Sequence, residues 1–378
     1  MFDYETLRCI WWLFLGVLLI GFAVTGGFDL GTAILLPFLG KTDTERRVII
    51  NSIGATWEGN QVWFVTAGGT LFAAWPMAYS VAFSGFYFAL LLTLFALMLR
   101  PLGFDYRSKL PSERWRSNWD KALFVGGFVP ALIFGVAFGN LLQGVPFHFD
   151  NDMRIFYDGS FWGLLNPFAL LSGLLSVAML TLHGAAYLQI KTEGDIQQRC
   201  QKAVMLFAIV TLVIFALAGV WIANIDGYAI TSTVLPNAPS NPLNKVVEKT
   251  AGLWMMNYHH NPLLIFIPSL GFIGGLLTIM LSKQQHLKSA FISSGLTITA
   301  IILTAGVSMF PFLIPSSINI NHSLTVWDAS SSHTTLAIMF WVTVVFLPII
   351  IIYTTWVFRV LSGKITLAHI QNNDHTAY

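Results

Sequence analysis

The chain has 378 residues, 55% of them hydrophobic and only 10% charged, with a mean hydropathy of +0.68. Soluble domains carry about 25% charged residues, so a water-covered globule is excluded. A net charge of +2, spread in short clusters, gives nucleic-acid binding no support. Two cysteines, Cys9 and Cys200, without a CxxC pair argue against a disulfide framework or a structural zinc site. The 31 Phe, 13 Trp and 31 Gly fit lipid-facing helices, interfacial belts and close helix packing. The fold class is an all-α polytopic membrane protein.

The N-terminus carries Asp3 and Glu5 where a signal peptide needs basic residues, so the apolar run that follows reads as the first span. A crossing helix needs roughly 20 mostly apolar residues. Eight stretches qualify: about 9–37, 77–98, 122–141, 168–188, 204–225, 263–281, 290–312 and 336–357. A ninth, 48–75, is weaker because it contains Asn51, Glu58, Asn60 and Gln61. Charge decides whether it crosses. All but Arg8, Arg154, Lys245 and Lys249 of the 20 Lys+Arg fall in five loops. Nine spans put all five loops on one side, whereas eight would split them. The expectation is therefore nine transmembrane helices in one integral membrane domain over 1–378, N-terminus periplasmic and C-terminus cytoplasmic. The longest outer connections, around 142–167, 226–262 and 313–335, read as folded turns. No internal repeat is visible.

Ionisable groups inside the hydrocarbon region are costly and mark functional sites by default. Asp29 in the first span and Glu58 in the second lie roughly 12–15 Å from the inner surface at a helical rise of about 1.5 Å per residue. If the hairpin packs, they stand side by side with Asn60 and Gln61. Two readings stay open: a proton-accepting cluster reached from the cytoplasm, or a polar seam that hydrogen-bonds the helices together. Trp57 shares that depth and could face a quinone ring, while Trp11, Trp12, Trp63, Trp75 and Trp115 read first as belt or packing residues. His183 stands alone without an HxxxH partner, so a hydrogen-bonded histidine is favoured over a haem ligand. His259, His260, His369 and His375 read as solvated or partner-facing, Met309 as packing, and Gly26–Gly27 and Gly68–Gly69 as close-approach sites. No metal site is expected.

Several long motifs then stand in order: WEGNQVW at 57–63, TLFAAWP at 70–76, MLRPLGFDYRSK at 98–109, GNLLQGVPF at 139–147, NIDGY at 224–228, SNPLNK at 240–245, MFPFLIPSS at 309–317 and SLTVWDASSSHTTL at 323–336. With MFDYE at 1–5 and the terminal Tyr378, the whole chain resembles subunit II of cytochrome bd ubiquinol oxidase. The resemblance implies a terminal oxidase of the bacterial inner membrane that oxidises quinol and reduces dioxygen to water. It implies a homologous subunit I that ligates two haems b and haem d, with a small single-span accessory subunit as a further partner. This chain would shield the haem-bearing subunit, without catalysing the reaction alone. Position by position, the resemblance implies that Asp29 and Trp57 line a ubiquinone pocket with Tyr378 as a third wall. Glu58 stands where the family commonly has Asp, on a proton route shared with Asp29, and Trp63 stands beside an oxygen-access path. Gly26 departs from the family's Asp, so that carboxylate is absent here. A secondary transporter is the competing class, but its expected inverted repeat is not visible. An assembly subunit is the third.

Overall fold

The computed structural model describes residues 2–366 and residue 370. Among the described residues, eight helices are long and apolar enough to cross a membrane. They include α1 (Tyr4–Leu39), α5 (Tyr87–Tyr106), α6 (Glu113–Gln143), α7 (Pro167–Lys191) and α8 (Gly194–Ile222). The others, after the short α9 (Met256–His260), are α10 (Phe266–Lys283, extended back to Pro262 by a 3-10 turn), α11 (Leu287–Met309) and α12 (His333–Val360). Seven of them match strong apolar stretches closely, whereas α5 covers only the later part of the 77–98 stretch.

The weak stretch at 48–75 does not form one helix. It divides into α2 (Asp43–Gly54) and α3 (Trp57–Ala74), which corrects the expectation of a single uninterrupted span there. The start of α2 is fixed by a capping box between Thr42 and Glu45. It ends at Gly54, where the Thr56 N–H turns back to the Ile53 carbonyl. Trp75 then leaves helical geometry and Pro76, whose missing N–H suits a first turn, opens α4 (Pro76–Gly85). A ten-residue helix rises only about 15 Å, so α4 cannot span. The 77–98 stretch is therefore also divided, which corrects the expectation of one helix there, and its long helix is α5, one joint residue (Phe86) after α4.

The helix α1 packs against α3, α6 and α7, and α7 is the most enclosed of the long helices. Where α1 meets α7, a Cβ on Gly31 would lie 2.0 Å from the Leu180 carbonyl oxygen, and one on Gly184 would lie 2.5 Å from the Gly31 carbonyl carbon. Only glycine lets these backbones approach so closely, and the contact sets the height of α1 against its neighbours.

At the end opposite the basic loops, three two-stranded antiparallel sheets cover the bundle: Phe147–Phe149 with Ile155–Tyr157, Asp226–Ile230 with Val247–Ala251, and Phe312–Ile314 with Leu324–Thr325. The outer connections are thus built of hairpins. Buried Arg8 ties them to α1, donating to Ser330 Oγ (2.8 Å), Ser240 Oγ (2.9 Å) and the Pro236 carbonyl. Cys9 and Cys200 are both free.

Candidate functional site

The close packing of α1 on α3 buries Asp29 completely and places it against Asn60, whose Nδ2 donates to Asp29 Oδ2 at 2.8 Å. Residues two apart on a helix differ by about 200°. The turn that aims Asn60 at Asp29 therefore aims Glu58 away, and Glu58 is exposed on the outer flank of α3. The expected pair of carboxylates side by side does not form: Asp29 has an amide for a neighbour, and no hydrogen bond or ion pair joins it to Glu58 among the described residues.

The charge that Asp29 does meet comes from α5. Arg100 is 1% exposed and attracts Asp29 electrostatically, without a hydrogen bond between them. Its guanidinium lies 5.7 Å from the ring centre of Trp57, which rests on Phe104 with ring centres 5.5 Å apart. Asp29 Oδ1, Thr32 Oγ1, Gln61 Nε2, and Arg100 Nε and Nη2 are buried without hydrogen-bond partners. Buried polar groups are nearly always paired, so this concentration of open donors and acceptors on α1, α3 and α5 marks a place for water or a polar ligand. A cavity of about 10 Å³ bounded by Thr32, Ile53 and Phe104 has room for about one water.

Sequence reading missed Arg100 by assigning it to a loop. The apolar stretch ends near residue 98, yet α5 runs on through Pro101 to Tyr106 and carries Arg100 inside the helix. Beyond it, Arg107 donates to Asp120 (2.5 Å) and Asp43 (2.9 Å), Arg46 to Asp120 (2.7 Å) and Arg116 to Asp43 (2.9 Å). Burial alone would lower the pKa of Arg107, but Asp120 and Asp43 raise it above its ordinary value. The network pins α2 to α5 and α6 and closes the basic end over the Asp29 site. Glu45 on α2 accepts from Arg199 on α8 at 2.5 Å. Partial burial opposes its charge, but Arg199 and the Lys41 N–H hold Glu45 below the ordinary carboxylate range.

His183 is buried, with Nε2 donating to the Val24 carbonyl at 2.9 Å, Nδ1 against Ser294 Oγ at 2.7 Å, and its face on Phe291. Both nitrogens are engaged, so neither lone pair is free for a haem iron. Trp63 lies about one turn beyond Asn60 on the same face of α3, against Gly21 of α1, and lines a separate groove. Tyr378, His369 and His375 lie outside the described residues.

The profile of the family described as cytochrome bd terminal oxidase subunit II matches residues 7–361. The chain is 55% identical to cytochrome bd-I ubiquinol oxidase subunit 2 of Escherichia coli K12 over the full length of both, and 52% identical to a probable cytochrome oxidase subunit 2 of Haemophilus influenzae, again over both full lengths. It is 29% identical to cytochrome bd ubiquinol oxidase subunit 2 of Bacillus subtilis over 96% of this chain and 97% of that one. Its fold is similar to a chain in the structure of bd oxidase from Geobacillus thermodenitrificans, with a TM-score of 0.68 over 95% of this chain and 98% of that one, at 12% identity.

Proposed function

The chain belongs to the cytochrome bd terminal oxidase subunit II family, and from that premise we propose how it serves a quinol:oxygen oxidoreductase complex. Its partner is the haem-bearing subunit I. The haems b and d reside there, a reading supported by the engagement of both His183 nitrogens. This chain packs against that partner and shields its haem side.

The observation that carries the site assignment is the set of open polar atoms between Asp29, Arg100 and Trp57. A ubiquinone head fits their chemistry. Arg100 Nε and Nη2 would donate to quinone oxygens, Asp29 Oδ1 would accept from a quinol hydroxyl, and the Trp57 ring would offer a flat apolar wall. The one-water cavity takes no ring, so the head lies on the half-buried Trp57 side and reaches Asp29 and Arg100 through water. Bound there, the quinone supplies redox chemistry; this chain orients it and holds charge and protons beside it. Glu58, exposed at the start of α3, receives protons from the cytoplasm, and Asp29 is the inner acceptor. Gly26 contributes no carboxylate to that route. Trp63 borders oxygen access.

Nine crossings complete the topology. The helix α3, at 18 residues, rises about 27 Å, close to the hydrocarbon thickness of about 30 Å. Counting it returns all five basic loops to one side, with the N-terminus periplasmic and the C-terminus cytoplasmic in the bacterial inner membrane.

The test is isolation through a tag on this chain in mild detergent. The expected result is a stoichiometric larger membrane partner, a far-red haem d band in the reduced-minus-oxidised spectrum, and quinol-dependent oxygen uptake. A folded but colourless chain without partner overturns the proposal.

A further inference from the structure

A second cavity of about 580 Å³ opens between α1, α3, α11 and α12, within the size range of ligand pockets. Its walls divide by chemistry. Trp63, Ile351 and Phe358 line it with apolar surface, while Lys288, Arg359 and Ser362 stand at the basic end. Lys288 and Arg359 are exposed, and neither makes an ion pair among the described residues. Among the described residues, no carboxylate lines the groove. Lys288 also lies in the first turn of α11, whose cap residue His286 offers no side-chain bond to the free amides, so helix end and lysine add positive potential at one place.

We propose that this groove is a binding site for an anionic phospholipid, its phosphate held by Lys288 and Arg359 and an acyl chain lying on Trp63, Phe358 and Ile351. The charge balance favours an anion, and the apolar walls favour one attached to hydrocarbon over a free phosphate. Basic pockets between membrane helices on the cytoplasmic side hold anionic headgroups by this chemistry. In the proposed orientation the site opens to the inner leaflet. It is distinct from the Asp29–Arg100 site, so it stands or falls independently of the quinone assignment.

The experiment uses the intact complex in native mass spectrometry, titrated with phosphatidylglycerol, phosphatidylethanolamine or inorganic phosphate. Replacing both cations (Lys288→Gln with Arg359→Gln) is expected to weaken phosphatidylglycerol binding about thirtyfold, at about fivefold for each interfacial cation. Binding of zwitterionic phosphatidylethanolamine is expected to stay unchanged. Equal phosphatidylglycerol retention by variant and wild type overturns the proposal. So does displacement by millimolar inorganic phosphate, which marks a free-anion site, or displacement by added ubiquinone. Phosphatidylglycerol binding that appears only after deletion of 371–378 also overturns it, because the tail is then the occupant. If the double variant does not assemble, quenching by brominated lipid decides. Brominated phosphatidylglycerol is expected to quench wild-type fluorescence more than Trp63→Phe fluorescence; an identical loss in both, or equal quenching by brominated phosphatidylethanolamine, overturns the assignment.

Discussion

Replacing Asn60 by leucine removes the amide that holds Asp29 while keeping a side chain of similar size between α1 and α3. Asn60 is 3% exposed and Asp29 fully buried, so no solvent replaces the lost 2.8 Å bond. A hydrogen bond to a charged group contributes about 1.5–3 kcal/mol, equivalent to about 10–150-fold in the folding equilibrium. Asp29→Leu deletes the acceptor but leaves Arg100 buried without its carboxylate, so that single change is also destabilising. The pair is therefore read as a double-mutant cycle. In detergent–SDS titrations of the intact complex, Asn60→Leu is expected to lose about 1.5–3 kcal/mol in the wild-type background. In the Asp29→Leu background the same change is expected to lose under about 0.5 kcal/mol. Additive losses would refute a direct bond between the two and with it the polar core of the site.

Three further outcomes follow from the same geometry. His183→Gln is expected to leave every haem band in place while destabilising the bundle by about 1–3 kcal/mol through the unpaired Val24 carbonyl; loss of a band would make His183 a ligand. Glu45 titrates below its ordinary value of 4.5 in the folded chain, so its tie to Arg199 stabilises above that value and is lost as pH falls through the lower, folded one. The difference in melting temperature between wild type and Glu45→Gln is accordingly expected to be largest near neutral pH and to shrink on acidification, and a constant gap would contradict it. Gly31→Ala pushes a methyl against the Leu180 carbonyl and is expected to cost about 1–3 kcal/mol or more. Gly16→Ala, with open space around it, is expected to stay within about 0.5 kcal/mol; equal thermal stability of the two variants would refute the tight α1–α7 crossing.

Much of the architecture was legible because hydrocarbon imposes a length and an apolarity that eight of the stretches meet without ambiguity. The candidate site was legible in part, through Asp29 and Trp57, but not in its pairings. Asp29 and Trp57 stand out by type and depth, yet which side chain faces Asp29 depends on where α3 begins, and Thr56 and Gly54 set that by breaking the 48–75 stretch. A start one residue earlier would turn Asn60 away by about 100°. Arg100 was hidden for a different reason: a basic residue followed by proline at the end of an apolar run reads as a loop. Here Pro101 is carried inside α5, and the opposed charge of Asp29 accompanies Arg100 in the interior. The hairpins over the opposite end were indistinct because their strands are two to five residues long and their register depends on contacts remote in sequence, such as Val247 N–H to Asn321 Oδ1.

The most direct measurement is the ubiquinone content of the complex isolated through this chain, extracted and quantified for wild type, Trp57→Ala and Arg100→Gln. The account expects quinone to accompany the wild-type complex and to fall in both variants while the haem bands persist. Undiminished quinone in both variants, with the haem bands intact, would contradict the site at Asp29, Arg100 and Trp57.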